Sequence, residues 1–535
     1  MAVSTRGKSA ITGTLPALSG LVAGYVALGV AELVSVAVRP EAGPVTAVGG
    51  AAIDRTPSGV KDWAIRQFGT NDKLVLQLGI LAVLAVFAVA MGVLALHRRR
   101  TATAGVFAFG LVGALAAVSR PDSTGSVDAV PSLVGALCGA GALYLLSGFL
   151  STPVAAEVGA AATGGPQRGS TEGPNRRGFV LATAGVAVAS TAAGLTGRRL
   201  NATTAAEAEA SRAAVRLPTP SSPAPTPARG VDLRIRDVAP FTTPNRDFYR
   251  VDTALKVPRM DADRWRMRLH GKGVGEPLAL DFRDLLQRDL IERDITMTCV
   301  SNEVGGPYVS SARWLGVRLK DLLEEAGVRP PSQGGPADQL VARSVDGMTI
   351  GSPVETVMDG RDAMLAVGMN GEPLPFDHGF PVRMLVPGLY GYVSACKWIQ
   401  DLELTTFDDY DAYWVQRDWA REAPIKTQSR IDTPKPFARP AAGRVVVAGV
   451  AWAQHTGIDR VEVRVDDEPW QEAELAAEGP LDTWRQWSWQ WPATAGSHTL
   501  QVRATDRTGT TQTDRRTRTI PDGASGRHSV VVNVT

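Results

Sequence analysis

The stretch Met369-Asn-Gly-Glu-Pro-Leu-Pro-Phe-Asp-His-Gly-Phe-Pro-Val-Arg-Met-Leu-Val-Pro387 sets a histidine and an arginine among prolines and glycines that favour tight turns. A Gly-rich bend follows and ends at Lys397. Cations beside turns with exposed backbone N–H groups suit an anion such as a phosphate or a pterin. Taken singly, residues such as His378, Arg383 and Lys397 are more often solvated loop residues than ligands of an anion.

Short apolar runs around this stretch predict strands at 340–345, 364–368, 382–387 and 398–405. Upstream, Trp265–His270 alternates polar and apolar residues like a half-buried strand. Gly316–Ala326 has the apolar spacing of a helix instead, and Gly327 is a typical helix stop. Residues 231–425 are therefore predicted to form an α+β domain with many loops.

A cysteine stands in a second unusual segment, Thr298-Cys-Val-Ser-Asn-Glu-Val-Gly-Gly306, directly after the apparent strand Ile295–Thr298. A thiolate in a polar, Gly-containing turn could bind a soft metal or act as a nucleophile. A purely structural cysteine is the alternative that the residues alone leave open. The other two cysteines, at 138 and 396, lie too far from Cys299 for a closely spaced metal or haem motif.

Residues 426–535 show a different pattern, in which short alternating strands are separated by turn signals. These predicted strands are Arg444–Ala451, Val461–Asp466, Arg485–Trp491, Thr499–Thr505 and Ser529–Val534. The pattern is typical of a β-sandwich of about 100 residues.

The first 200 residues contain apolar stretches at about 11–37, 73–96, 101–119, 130–150 and 179–197. A membrane core of about 30 Å needs about 20 helical residues, so 1–200 is predicted to be a transmembrane domain with five helices. Buried soluble helices are the alternative for the two spans rich in Gly and Ala, at 101–119 and 179–197. The composition of 201–230, first Ala and then Pro, Ser and Thr, predicts an extended linker.

The placement of Lys and Arg predicts a cytoplasmic N-terminus, so five spans put everything after residue 200 outside the cytoplasm. The fifth span begins Asn175-Arg176-Arg177-Gly-Phe, which resembles a twin-arginine export signal for folded proteins. An ordinary basic flank is the alternative. A haem between the helices would need two facing histidines, and His97 is the only one near the apolar stretches.

Composition excludes several classes of protein. Lys and Arg number 56 against 54 Asp and Glu, and this balance argues against a nucleic-acid binder with a basic surface. A hydrophobic content of 44% argues against global disorder. Three cysteines are too few for a disulfide scaffold or a four-cysteine metal site.

Several motifs together resemble the sulfite-oxidase family of molybdopterin enzymes, over about 231–535. They are Thr243-Pro-Asn, Phe248-Tyr249, the strand followed by Cys299-x-x-Asn302, the stretch Met369–Arg383, and Lys397-Trp398, in the family's order. The resemblance implies a molybdenum ion on a pyranopterin dithiolene, with Cys299 as the protein ligand. It further implies that 426–535 is an immunoglobulin-like dimerisation domain, through which a homodimer would form.

The resemblance also assigns positions that contact the molybdopterin. They are Asn245, Tyr249, Arg250, Asp346, His378, Arg383 and the backbone of Ala395, Cys396 and Lys397. Soft sulfur donors suit a molybdenum that cycles by two electrons, and Arg383 and Lys397 can supply cations to the pterin phosphate. A cofactor inserted before export would make a twin-arginine signal sensible.

The chain departs from the family at the substrate pocket. Sulfite-oxidising members carry an arginine five residues after the cysteine, where this chain has Val304, and another after the aromatic pair, where Arg250 precedes Val251. At the position where the family's active-site tyrosine is expected, this chain has Trp419. Losing cationic and hydroxyl groups should weaken the binding of a dianion. Arg313 and Arg417 are candidates to compensate.

We therefore expect a membrane-anchored, extracytoplasmic oxidoreductase that transfers an oxygen atom at molybdenum, with Cys299, Arg250 and Trp419 in catalytic roles. Sulfite oxidation is one option, and reduction of S-oxides or similar small molecules is another. A non-enzymatic, membrane-tethered binding protein is the alternative from a different class. The expected partners are a small-molecule substrate, a separate cytochrome or quinone-linked electron carrier and the lipid bilayer, with no nucleic acid.

Overall fold

A computed structural model describes residues 6–68, 72–150 and 176–535 of the chain. Within these residues the chain forms two compact units. The first comprises the described residues up to Ala206 together with Thr253–Lys256, and the second comprises Glu207–Asp252 and Val257–Thr535. The predicted twin-arginine signal begins at Asn175, which lies outside the described residues.

The first unit is helical. Its helices are α1 (Arg6–Val38), α2 (Pro44–Arg55), α3 (Ser58–Phe68), α4 (Asp72–Ala95), α5 (Arg99–Val118), α6 (Val130–Leu150) and α7 (Arg176–Ala214), the last of which continues into the second unit. In the described part of the chain, five helical segments are long and apolar enough to cross a membrane. They are Thr14–Val38, Lys73–Ala95, Arg99–Val118, Ser126–Leu150 and Gly178–Ala214. These segments match the five predicted stretches.

Small residues let these helices pack backbone against backbone. A Cβ on Gly135 of α6 would lie 2.4 Å from the carbonyl oxygen of Ala27 in α1. A Cβ on Gly20 of α1 would lie 1.9 Å from the carbonyl oxygen of Ala88 in α4. Glycine is the residue that fits at both positions, and such close contacts are typical of helix packing in membranes.

The linker prediction for 201–230 is wrong in its first part, because α7 continues to Ala214. The Ala- and Glu-rich composition of 201–214 has high helix propensity, and this outweighs the absence of a helical apolar stripe. The rest of the predicted spacer is fixed to the second unit at Ser222. The N–H of Ser222 donates to the carbonyl oxygen of Leu290 at 3.2 Å, and its own carbonyl oxygen accepts from the N–H of Glu292 at 2.9 Å.

The second unit contains the remaining elements. Its strands are β1 (Arg266–Gly271), β2 (Leu278–Asp281), β3 (Leu290–Thr298), β4 (Val309–Arg318), β5 (Gln339–Ser344), β6 (Thr349–Pro353), β7 (Met364–Met369), β8 (Glu372–Pro373), β9 (Arg383–Leu385), β10 (Ile399–Thr405), β11 (Gln428–Thr433), β12 (Gly443–Trp452), β13 (Ile458–Val465), β14 (Gln471–Glu472), β15 (Glu474–Leu475), β16 (Arg485–Ala493), β17 (Gly496–Asp506) and β18 (His528–Val534). Its short helices are α8 (Phe282–Leu286), α9 (Leu319–Glu325), α10 (Val354–Met358) and α11 (Gly391–Ser394).

Strands β1 to β10 build two sheets around one large core, which confirms the α+β prediction. One sheet has the order β2-β1-β10-β5-β6, with a parallel pair between β1 and β10. The other has the order β3-β4-β7-β8, with β9 paired to β7. The helix predicted from Gly316 begins instead at Leu319, because residues up to Arg318 extend β4 and Val317 pairs with Leu290 of β3.

Strands β11 to β18 build two further four-stranded antiparallel sheets, of order β11-β12-β16-β15 and β14-β13-β17-β18. Val447 and Trp487 from the first sheet pack with Val461, Leu500 and Val532 from the second in a separate core. The five strands predicted for this region are all present. The pattern missed β11, β14 and β15, of which β14 and β15 are only two residues long.

Candidate functional site

Cys299 lies at the end of β3, where the chain leaves the sheet for a tight loop. Its N–H donates to the carbonyl oxygen of Tyr308 at 2.9 Å, and its carbonyl oxygen accepts from the N–H of Asn302 at 3.0 Å. The Asn302 side-chain oxygen in turn accepts from the N–H of Tyr308 at 2.8 Å. Cys299 is buried, and the loop that follows it is closed by these hydrogen bonds.

Arg383 supplies a buried cation at the start of β9. One guanidinium nitrogen donates to the carbonyl oxygen of His378 at 3.3 Å, and the group lies 5.1 Å from the ring centroid of Trp314. Its Nε has no acceptor, and among the described residues no carboxylate pairs with it. Burial lowers the pKa of Arg383 to about 10. A buried, incompletely paired guanidinium is a strong candidate to bind an anion.

His378 is buried beside Arg383 as a neutral imidazole. Its Nε2 lies 3.0 Å from the carbonyl oxygen of Asn245, so Nε2 carries the proton because a carbonyl oxygen can only accept. Burial, with a further contribution from Arg383, lowers the pKa of His378 to about 4. At neutral pH it is therefore a polar but uncharged group.

Lys397 and Arg250 form a charged cluster with two carboxylates. Asp252 accepts from the Lys397 ammonium and from the Arg250 Nε, each at 3.0 Å. Arg250 also pairs with Asp377 at 3.1 Å. Burial lowers the pKa of Lys397, while Asp252 opposes this shift. With Arg383 and the buried Asp346, the region holds three basic groups and three carboxyl groups.

The other predicted cofactor contacts lie around these groups. Asn245 donates to the carbonyl oxygen of Met369 at 3.3 Å and accepts from the side chain of Asn370 at 2.8 Å. Asp346 lies between β5 and β6, and burial raises the pKa of its carboxyl. Its charge also acts on the buried Cys396, whose carbonyl oxygen accepts from the N–H of Met384 at 2.9 Å.

The Gly-rich bend meets the end of β3. A Cβ on Gly391 would lie 3.7 Å from the Tyr249 hydroxyl and 3.8 Å from the carbonyl oxygen of Thr298, the residue before Cys299. Burial raises the pKa of Tyr249, and the adjacent Cys299 raises it further. The start of α11, a few residues before Ala395, Cys396 and Lys397, therefore lies beside the end of β3.

Trp419 is buried near this bend, with its ring centroid 5.5 Å from that of Tyr392. Its indole N–H has no acceptor among the described residues. The two candidate compensating arginines are engaged elsewhere. Arg313 makes two hydrogen bonds of 2.9 Å to Asp294, and Arg417 lies 3.6 Å from the ring centroid of Tyr413.

Sequence reasoning missed Asp252, Asp377 and Asn370 as members of the site. Asp377 and Asn370 stand inside the quoted Met369–Pro387 stretch, so their position was a usable signal. Asp252 follows the Phe-Tyr-Arg run without any motif of its own. Its role depends on Lys397, which is 145 residues distant in sequence.

The depressed pKa of His378 predicts an acid-sensitive stability. Between its ordinary value of 6.5 and about 4, the unfolded chain binds a proton that the folded chain does not. Stability should therefore fall as the pH drops from 6.5 toward 4, by on the order of 3 kcal/mol from this residue. His378→Gln should flatten that decline in denaturant titrations at pH 7 and 4.5. His270→Gln, at a more exposed histidine, serves as control, and an unchanged slope in His378→Gln would refute the assignment.

Comparisons with known proteins point to one family. The family model described as "Oxidoreductase molybdopterin binding domain" matches residues 254–414. Mitochondrial sulfite oxidase from Rattus norvegicus is 31% identical over 316 residues, which cover 49% of this chain and 57% of that protein. The oxidoreductase YuiH from Bacillus subtilis is 30% identical over 159 residues, covering 30% of this chain and 74% of that protein.

A crystal structure of the sulfane dehydrogenase SoxCD from Paracoccus pantotrophus is also similar, at 25% identity and a TM-score of 0.48, covering 56% of this chain and 84% of that one. The chain spans little more than half the length of the mammalian relatives it matches.

The donor groups present here fit a molybdopterin. Cys299 offers one soft thiol, and the buried Nε of Arg383, the side-chain N–H of Asn302 and the indole N–H of Trp419 find no acceptor in the described part of the chain. The unused donor of Arg383 suits an anionic group of the cofactor, whereas Asp252 and Asp377 already engage Lys397 and Arg250. Mo-molybdopterin is the cofactor of the matched family, and the chain belongs to the sulfite-oxidase family of molybdopterin-dependent oxidoreductases.

Proposed function

We propose that the chain is a membrane-anchored, extracytoplasmic molybdenum oxidoreductase that transfers an oxygen atom to or from a small molecule. The observation that carries this proposal is the buried Cys299 together with the buried Arg383 of β9, whose Nε has no acceptor among the described residues. The buried Tyr249 is close enough to both residues for each to act on its pKa. The bound cofactor would supply two-electron redox chemistry and an oxygen atom. The remaining roles fall to the residues of the chain itself.

These residues would hold the cofactor from two sides. Cys299 would be the thiolate ligand, and Arg383 and Lys397 would bind the phosphate. His378 would act as a neutral hydrogen-bonding wall, because its low pKa prevents it from adding a second charge. Asn245, Tyr249, Asp346 and the backbone of 395–397 would complete the pocket. In this arrangement Arg250 would act through Asp252 and Asp377.

Sulfite is one candidate substrate, because the family match supports it. Reduction of neutral S-oxides is the second candidate, and a specific observation favours it. Val304 stands where an arginine would bind a dianion, and Arg313 is hydrogen-bonded to Asp294. Trp419 offers an indole N–H, which can donate to a neutral S=O oxygen but cannot neutralise a charge.

The membrane anchoring rests on the five apolar helices, and the extracytoplasmic side rests on the distribution of Lys and Arg. The two four-stranded sheets at the C-terminus would form an immunoglobulin-like module through which a homodimer assembles. A separate electron carrier, a cytochrome or a quinone-linked protein, would exchange electrons with the site.

Two parallel assays on the purified full chain test the reaction. One supplies sulfite with an artificial electron acceptor, and the other supplies dimethyl sulfoxide with a reduced viologen dye. Turnover in either assay supports an oxygen-atom-transfer enzyme, and the faster assay identifies the direction. If a molybdenum-loaded chain turned over neither, the proposed activity would be abandoned.

Trp419→Phe should raise KM about tenfold for the preferred substrate, because it deletes a desolvated hydrogen bond to the substrate oxygen. Trp414→Phe, at a less buried neighbouring indole, is the control. Equal KM values for Trp419→Phe and the wild type would remove Trp419 from the pocket.

A further inference from the structure

Residues of the C-terminal region form hydrogen bonds with β3, the strand that leads to Cys299. Gln454 follows β12 and is almost fully buried, with 4% of its surface exposed. Its side-chain nitrogen donates to the Thr298 hydroxyl at 3.1 Å and to the carbonyl oxygen of Thr296 at 3.3 Å. Thr298 immediately precedes Cys299. One amide from the C-terminal region thus contacts the last two same-face residues of β3.

Other contacts reinforce the same strand. The hydroxyl of Thr296 accepts from the N–H of Trp484 at 2.8 Å, and the N–H of Thr296 donates to the carbonyl oxygen of Asp482 at 2.9 Å. Both partners, Asp482 and Trp484, lie in the loop that immediately precedes β16. The strand is therefore held at Thr296 through backbone and side chain together.

The loop after the cysteine is held from the same region. Arg430 in β11 donates to the carbonyl oxygen of Gly306 at 2.9 Å. Gly305 has a left-handed φ of +81°, and a Cβ there would lie 2.2 Å from the ring of His528. Glycine is required at this position because the loop lies directly on the histidine. The C-terminal region therefore contacts the segment 296–306 both before and after Cys299.

Gln454 contributes little to net stability. Its side-chain oxygen is buried and accepts no hydrogen bond from the described residues, and this desolvation cost offsets the hydrogen bonds made by its nitrogen. An apolar side chain of similar length would avoid that cost. The placement of its donor on Thr298 is therefore the feature that distinguishes Gln454 from a packing residue.

We infer that Gln454 is a positioning residue, which fixes the end of β3 through Thr298 and so sets the orientation of the Cys299 thiol. The significance of that orientation for a metal rests on the proposed function. The positioning itself does not depend on the metal, so the two can fail separately. The C-terminal sheets would then contribute to the redox site in addition to any role in assembly.

The first test measures access to the Cys299 thiol in cofactor-free full-length chain. Gln454→Met should speed alkylation of Cys299 by iodoacetamide about fivefold, the change that loss of one ordinary hydrogen bond gives to a local opening equilibrium. Peptide mass spectrometry separates this site from the buried Cys396, which serves as the internal reference. The melting temperature should stay close to that of the wild type.

The matched control is Gln428→Met. Gln428 is also a buried amide of the C-terminal region whose oxygen has no partner among the described residues, but its nitrogen donates to the carbonyl oxygen of Ala524. This variant should leave alkylation of Cys299 unchanged. Equal rates for Gln454→Met and Gln428→Met would overturn the inference. Should Gln454→Met not fold, Thr298→Val removes the hydrogen bond between Gln454 and Thr298 from the opposite partner and must also speed alkylation of Cys299.

The second test uses the molybdenum-loaded chain. Gln454→Met should alter the electron paramagnetic resonance signal of the half-reduced metal, because that signal responds to the orientation of the thiolate ligand. Gln428→Met should not. A signal identical in Gln454→Met and the wild type would contradict the positioning role. If the chain holds no molybdenum, the proposed function fails while the alkylation result still decides the inference.

Discussion

Cys299→Ser should reduce turnover by more than about a hundredfold. Changes to groups outside the first coordination sphere of a metal commonly cost about 10–100-fold, so removal of the sole protein ligand should cost more. Serine keeps the size and the backbone hydrogen bonds of the loop, which close between Cys299, Asn302 and Tyr308. A hydroxyl, however, lacks the soft sulfur that suits molybdenum. Turnover with both substrates of the paired assay is the measurement.

Two comparisons keep this result interpretable. Cys138→Ser in α6 is the matched cysteine control and should retain full activity. The circular dichroism spectrum of Cys299→Ser should match that of the wild type, because the fold does not depend on the thiol. Retained activity in a well-folded Cys299→Ser chain would remove Cys299 from the metal.

Arg383→Met should have opposite effects on the cofactor and on the cofactor-free protein. Without an anion, Arg383 is a buried cation with an unused donor and no carboxylate partner among the described residues. Replacing a poorly compensated buried charge by an apolar side chain should stabilise the cofactor-free chain by roughly 1–3 kcal/mol. The same replacement removes a cation that would hold the phosphate, so the purified variant should retain little molybdopterin.

Arg313→Met provides the contrast. Arg313 is engaged by the buried Asp294, so its replacement should leave an unpaired carboxylate and destabilise the protein while the cofactor is retained. The measurements are thermal unfolding of cofactor-free chain and fluorescence of the released, oxidised pterin. Loss of stability in cofactor-free Arg383→Met, or wild-type pterin content in that variant, would contradict the assignment.

Much of the fold follows from local patterns. Alternation and short apolar runs placed β1, β5, β7, β9 and β10 and the five longer C-terminal strands, because each has a buried face of its own. The patterns failed where a distant partner decided the outcome. Residues 316–318 have helical spacing, yet they extend β4 because they pair with β3 and β7. Residues 201–214 lack a helical stripe, yet their alanines continue α7.

The candidate site was predictable to a similar extent. Turn-forming prolines and glycines marked the segment with His378 and Arg383, and the polar turn marked Cys299. The ion pair between Asp252 and Lys397 was not predictable, because it joins residues from separate parts of the chain. The contact of Gln454 with Thr298 joins positions 156 residues apart and has no sequence signature.

The proposed function depends most directly on the metal itself. Inductively coupled plasma mass spectrometry of the purified full chain, expressed in a host that makes molybdopterin, measures the molybdenum content per chain. We predict about one molybdenum per chain in the wild type, and little in Arg383→Met, which lacks a cation that would hold the cofactor. A well-folded wild-type chain without molybdenum would contradict the account and would favour a membrane-tethered binding protein.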